Sequence, residues 1–137
     1  MRTTSRTGAV AIGVFTVLML TATAAWAGSP HFVGAVTKTQ SGNTLTVSGK
    51  EAGLGNEDQV HIVVSATALC INNGGQHPKA VNKESVSAEG TFPVQNGKAD
   101  FSLTLTATFT PDCSPPMTVS FIDITVTDTT NGITTDP

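Results

Sequence analysis

Few residues in this chain carry chemistry, and their spacing limits what they can do. Cys70 and Cys113 are the only cysteines among 137 residues. In an exported domain an even count reads as a disulfide, and two cysteines allow one connectivity. In the chain-entropy view, a bond closing that loop is worth about 4 kcal/mol, less any native strain. A redox pair would need C-x-x-C spacing or an activated thiolate, and the sequence has neither. Cys70 and Cys113 are therefore expected to form a structural disulfide.

The three histidines are His31, His61 and His77. No H-x-x-x-H or H-x-H spacing joins any two, so a zinc site would need tertiary convergence. The run Gly28-Ser29-Pro30-His31 is only superficially like an amino-terminal copper motif. Its histidine is fourth rather than third, and Pro30 lacks the amide that such a site deprotonates. Oxygen ligands crowd at Asn56-Glu57-Asp58, with Asp123 and Asp128 near the end of the last apolar run. Calcium takes six to eight such oxygens. Nothing matches an EF-hand loop or a nonapeptide calcium repeat, and a solvated acidic turn accounts for the composition. The expectation is no metal and no cofactor.

Catalytic signatures are missing as well. The chain has no G-x-S-x-G elbow, no H-E-x-x-H and no phosphate loop, so it is read as a non-enzyme. Sugar-binding faces stack on Trp or Tyr. The chain has no Tyr, and its one tryptophan, Trp26, lies in the leader described next.

The elements that position these residues begin after residue 27. Arg2 and Arg6 precede a short apolar run, Ala9 to Leu20, and Ala25-Trp26-Ala27 offers a small-x-small cleavage site. This is a secretory signal peptide, and its apolar run is shorter than the roughly 20 residues of a membrane span. The expected product is a secreted single domain, 28–137, with no membrane insertion once the signal is removed. That domain carries five lysines, no arginine and all ten acidic residues, a net charge of −5. Nucleic acid and anionic membranes are bound through clustered positive charge, so neither is an expected partner.

Gln59 to Cys70 alternates strictly enough to define a β-strand. Val60, Ile62, Val64, Ala66, Ala68 and Cys70 lie on one apolar face. His31–Thr39 and Thr44–Ser48 are strand candidates around a turn at 40–43, and Gly49 to Asp58 reads as a glycine-rich connection with Leu54 plugging the core. Val86–Val94 and Ala99–Phe109 form a predicted hairpin around Gln95-Asn96-Gly97-Lys98, because Asn-Gly between alternating strands is a strong hairpin signal. Its register sets Phe92 opposite Phe101 and Gly90 opposite Leu103. A four-residue loop is expected, since Pro93 cannot complete a hydrogen-bonded pair with residue 100. In Met117–Thr127 the apolar parity changes between Phe121 and Ile122, which predicts a bulge or burial on both faces. Residues 128–137 are expected to fray unless Ile133 anchors a short final strand. Together these predict an all-β, small antiparallel β-sandwich of about seven strands with one disulfide, immunoglobulin-like in topology.

The loop after Cys70 carries Cys70-x-Asn72-x-Gly74-Gly75, then Pro78 and Asn82. This pattern resembles a group of small secreted proteins of high-GC Gram-positive bacteria, a group with no assigned activity, over Phe32 to about Asp128. The resemblance implies a signal peptide, a strand ending in cysteine and a proline-flanked second cysteine, and it brings no site residues. Thr46-Val47-Ser48-Gly49 followed by Gly53-Leu54 is similar, more weakly, to enediyne-binding apoproteins of the neocarzinostatin type. Those carry two short-range disulfides instead of one long one.

Two functions fit. The first is an exported non-catalytic module that binds an unknown protein or envelope component through its loops. The second is a carrier of an apolar small molecule in a cleft of the sandwich. For the first, Asn72, Asn73, Gln76 and His77 are the candidate binding residues. They form a dense set of neutral donors and acceptors on a loop whose base the disulfide would hold.

Overall fold

The computed structural model describes residues 28–72 and 82–137. Seven strands follow in order: β1 (His31–Ser41), β2 (Thr44–Ala52), β3 (Gln59–Ile71), β4 (Lys83–Pro93), β5 (Ala99–Thr106), β6 (Thr118–Asp128) and β7 (Ile133–Thr135). They form two antiparallel sheets, one in the order β1-β2-β5 and the other in the order β4-β3-β6-β7. Residues 1–27, expected to be a signal peptide, lie outside the described residues. Among the described residues, no helix is long and apolar enough to cross a membrane.

β3 is flanked on both sides, by β4 and by β6, at the centre of the larger sheet. Its alternation fixes which face turns inward, because a one-residue slip would send every core side chain to solvent. Val60, Ile62, Val64, Ala66, Ala68 and Cys70 are all buried. They pack with Leu45 and Val47 of β2, Phe101 and Leu105 of β5, and Phe121, Ile124 and Val126 of β6. Leu54 closes one end of this core, as expected, and is 2% exposed.

The predicted hairpin forms only at its turn. Gln95 and Lys98 exchange backbone hydrogen bonds of 2.8 and 3.0 Å around Asn96-Gly97. Both central residues have positive φ, 52° and 72°, so the loop has two residues, as in a type I′ turn, and not four. Beyond the turn the arms separate into different sheets: β4 pairs with β3, setting Pro93 against Gln59, while β5 pairs with β2, setting Asp100 against Lys50. Pro93 and residue 100 never meet in a ladder, so the conflict that favours the longer loop does not arise. The residues expected to face each other nevertheless touch, across the sandwich. The Phe92 and Phe101 rings lie edge to face at 6.2 Å, and a Cβ at Gly90 would stand 3.2 Å from a Leu103 methyl carbon. Alternation defines an inner face, and an inner face can meet its partner in a ladder or across a core.

β2 runs beyond the predicted Ser48, through Gly49, Lys50 and Glu51 to Ala52. Gly49 continues the strand in the ladder with β5, opposite Phe101, and leaves room for that ring, since a Cβ there would come within 2.7 Å of it. The bulge in β6 occurs, but at Asp123 instead of between Phe121 and Ile122. The register with β3 shifts between Ser65 and Thr67, and Asp123 has φ 51°. Ile122 therefore faces outward, 40% exposed, while Phe121 and Ile124 are both buried. The final segment is ordered by β7, which pairs Ile133 with Asp128.

Candidate functional site

Cys70 ends the inward run of β3, and Cys113 lies in the segment between β5 and β6. They form the expected disulfide, with an S–S distance of 2.02 Å and Cα atoms 5.7 Å apart. The β1–β2 turn and the 107–119 segment lie at this same end of the sandwich. Between them opens a cleft of about 780 Å³, lined on its apolar side by Ala107, Phe109, Pro115, Met117 and Val119. Gln40, Asn43, Thr108, Asp112 and Thr118 supply polar groups around it. Met117 Sδ sits 3.7 Å from Cys70 Sγ and Cys113 is itself part of the lining, so the disulfide forms part of the cleft wall.

Hydrogen bonds between segments fix the walls of the cleft relative to one another. Asn43 Nδ2 donates to the Ala107 carbonyl (3.0 Å), and the Ala107 amide donates to the Asn43 carbonyl (2.9 Å). Gln40 Nε2 reaches across to the Val119 carbonyl at 2.7 Å. The Thr108 amide donates to Glu84 Oε2 at 2.9 Å, tying the start of the segment to β4. Each wall is therefore bonded to a strand of the scaffold, a preformed geometry typical of small-ligand sites of about 300–1,000 Å³.

Of the candidate binding residues, Asn72 follows β3 at this end and is exposed. Asn73, Gln76 and His77 lie outside the described residues. The cleft was not legible in the sequence, because its walls come from distant segments, 64 positions apart where Asn43 meets Ala107. That pairing has no local signature.

The opposite end of the sandwich gathers acidic groups. β2 presents Leu45, Val47, Gly49 and Glu51 to the interior in alternation, and β6 presents Ile124, Val126 and Asp128. Glu51 and Asp128 are both 0% exposed. Three donors converge on Asp128: the amides of Thr130 (2.8 Å) and Asn131 (3.3 Å) on Oδ1, and Asn131 Nδ2 (2.6 Å) on Oδ2. Asn131 Nδ2 also donates to Glu57 Oε2 at 3.0 Å. Neither oxygen of Glu51 has a hydrogen-bond partner among the fixed donors. Its neighbour is the Asp128 carboxyl, an acceptor like itself, so the two hydrogen-bond only when one carries a proton. Burial, then this hydrogen bond and the nearby charges of Asp128 and Glu57, push the Glu51 carboxyl up from 4.5 to about 8.

The acidic residues noted as calcium candidates therefore separate. Glu57 and Asp128 come together, Asn56 and Asp58 are exposed beside them, and Asp123 sits apart on the outer surface at the bulge. No three His, Cys, Asp or Glu side chains among the described residues converge as a metal-ligand set. Sequence reasoning passes over Glu51 because Gly49–Asp58 reads as a connection. The signal is its inward parity with Leu45 and Val47. His61 projects from the outer face toward Glu89 Oε2 (3.2 Å) and Thr91 Oγ1 (3.1 Å), and His31 Nδ1 meets the Ser29 carbonyl at 2.7 Å.

No protein-family profile, curated protein or solved structure matches the chain.

Proposed function

We propose that the chain is a secreted, non-catalytic binding domain that recognises a protein or envelope component through the disulfide end of its sandwich. The supporting observation is the cleft between the β1–β2 turn and the 107–119 segment, which combines an apolar side with hydrogen-bonding groups. Apolar surface interleaved with hydrogen-bonding groups is the usual composition of a protein–protein contact. The exposed Asn72 stands at the same end. A signal-like leader and a disulfide in a small β domain both fit an oxidising, extracellular location.

The sheet order supports an immunoglobulin-like reading with one variation. Constant-type immunoglobulin domains place four strands on the first sheet and three on the second. Here the fourth strand, β4, lies on the second sheet beside β3. The disulfide also differs, since it links the end of β3 to a connection instead of joining the two sheets through their central strands. Such domains bind through loops clustered at one end of the sandwich.

A second reading, a carrier of an apolar small molecule, draws on the volume of the same cleft. One experiment separates the two. Native mass spectrometry of protein purified from its own culture medium reports a retained small molecule if the cleft is a carrier site. Affinity capture from envelope extract reports a macromolecular partner if it is a recognition site. Thr108→Trp, which adds bulk at the cleft, should abolish capture while leaving the disulfide and the melting temperature nearly unchanged. Capture at full strength by a folded Thr108→Trp protein would remove the cleft from the proposal.

A further inference from the structure

We propose that Glu51 and Asp128 share one proton across the gap between the two sheets, and that this proton is a latch which loosens the base of the sandwich when it leaves. Glu51 comes from the inner face of β2 and Asp128 from the inner face of β6, so the pair bridges the two sheets where the apolar core ends. Both side chains are sealed from solvent, which leaves no path for a substrate and excludes a catalytic acid pair. The donors are unevenly divided. Three reach Asp128 and none reaches Glu51, so the proton resides on Glu51 and is donated to Asp128. Without it, two unscreened carboxylates face each other in a low-dielectric gap, where like charges repel far more strongly than in water.

The surrounding charges do not relieve this. Glu57, from the loop between β2 and β3, adds a third negative charge and is tied to Asp128 through Asn131. Lys50 sits next to Glu51 in sequence but points to the outer face, where it pairs with Asp100 of β5 at 3.5 Å. His31 of β1 is engaged with the Ser29 carbonyl. Asp58 and Lys98, on the adjoining loop and turn, are exposed. On β3 and β4, His61 and Glu89 pair on the outer surface. No cation among the described residues enters the gap. The segments that the pair holds are the Gly53–Asp58 loop and the Asp128–Gly132 turn, which cap this end of the core through Leu54.

The sign follows from proton counting. A carboxyl that keeps its proton in the folded state and loses it in the unfolded state stabilises the fold at low pH, and that stability is lost as pH rises. The window runs from the ordinary carboxyl value, 4.5, to about 8. Within it the unfolding constant should rise by up to about tenfold per pH unit.

The test is urea unfolding of wild type and Glu51→Gln from about pH 5 to about pH 9, with side-chain carboxyl 13C NMR of glutamate-labelled wild type. The side-chain amide that Glu51→Gln introduces can donate to Asp128 at every pH. The wild type should lose stability steadily toward alkaline pH, whereas Glu51→Gln should be nearly flat and overtake it above neutrality. One of the four glutamate carboxyl signals should titrate far above the rest, and it should be the one that Glu51→Gln removes. Equal slopes for the two proteins overturn the proposal, as do four glutamate signals all titrating in the ordinary range. Calcium at about 1 mM, the range of extracellular modules, supplies the remaining arm. A calcium-dependent gain in stability below neutrality, absent from Glu51→Gln, would mean that a cation bridges the pair instead of a proton. If Glu51→Gln does not fold, the NMR titration of the wild type decides alone.

Discussion

At the disulfide end of this sandwich, the segment leading to β6 is fastened to the end of β3 by the Cys70–Cys113 bond. At the other end, the gap between β2 and β6 is bridged by Glu51 and Asp128, with Leu54 packed into the base of the core. The covalent bond confines the chain in the unfolded state and does not depend on pH. The acid pair acts only in the folded state and only while one proton is present. The consequence is a division of labour. A covalent anchor permits an irregular, cleft-forming segment to lie beside it at little risk to the fold, whereas the acid end must stay closed because an opened gap would admit water to two carboxyls.

The largest effect should come from cutting the anchor. Cys113→Ser should lower unfolding free energy by about 2–5 kcal/mol, read by urea unfolding, with the loss the same at every pH. Unreduced, denatured wild type should show no titratable thiol, and two thiols per chain would remove the basis of the comparison. On the acid end, Leu54→Ala should cost an amount near the lower end of about 2–5 kcal/mol for buried leucines. The residue closes the core at its rim, where neighbours can relax. If that loss exceeds the loss from Cys113→Ser, the acid end is the stronger fastening and the ranking of the two ends reverses.

Asn131→Ala probes the same end more gently. It removes the amide that joins Asp128 to Glu57 and should cost about 1–3 kcal/mol, the usual penalty for stranding a buried acceptor. It should keep the alkaline loss of stability, since Glu51 and Asp128 remain. That loss develops as pH rises from 4.5 to about 8, because the folded protein holds a proton that the unfolded chain gives up. Cys113→Ser should keep it too, while Glu51→Gln should erase it. A pH slope that disappeared in Cys113→Ser would show that the two ends are coupled. The smallest effect is expected at Asn72. Asn72→Ala should change stability by less than about 0.5 kcal/mol, as exposed positions do, while weakening capture of a partner. Unchanged capture would confine recognition to the cleft and leave Asn72 a connector.

How much was legible in the sequence differs between the ends. The disulfide needed only a cysteine count and a compartment, and the adjoining strand needed only the alternation from Val60 to Cys70. The cleft needed more, because Asn43 and Ala107 or Gln40 and Val119 meet through strand order, which local patterning does not encode. The acid pair falls between these cases. Asp128 stands out as a charge, yet its inward direction depends on the bulge at Asp123, one residue of register that parity alone locates at Ile122.

The sequence by itself determined the all-β class, the single disulfide, the inner face of β3 and the position of the turn at Asn96-Gly97, though not its two-residue length. The class, the face and the turn rest on nearest neighbours or a two-residue period, and the disulfide on there being only two cysteines to join. Only the tertiary structure decided that β4 and β5 part into separate sheets. Phe92 and Phe101 satisfy the same apolar contact in a ladder or across a core, and local energetics do not distinguish the two. Backbone pairing does not settle it, because the ladders to β3 and β2 use only one edge of each arm. Burial does, since one continuous sheet would leave its apolar face in water, whereas folding over at the turn packs the two inner faces together. The ladder with β5 carries β2 on to Glu51, and the same packing of sheet on sheet buries that residue against Asp128, turning what reads as a connection into the base of the core.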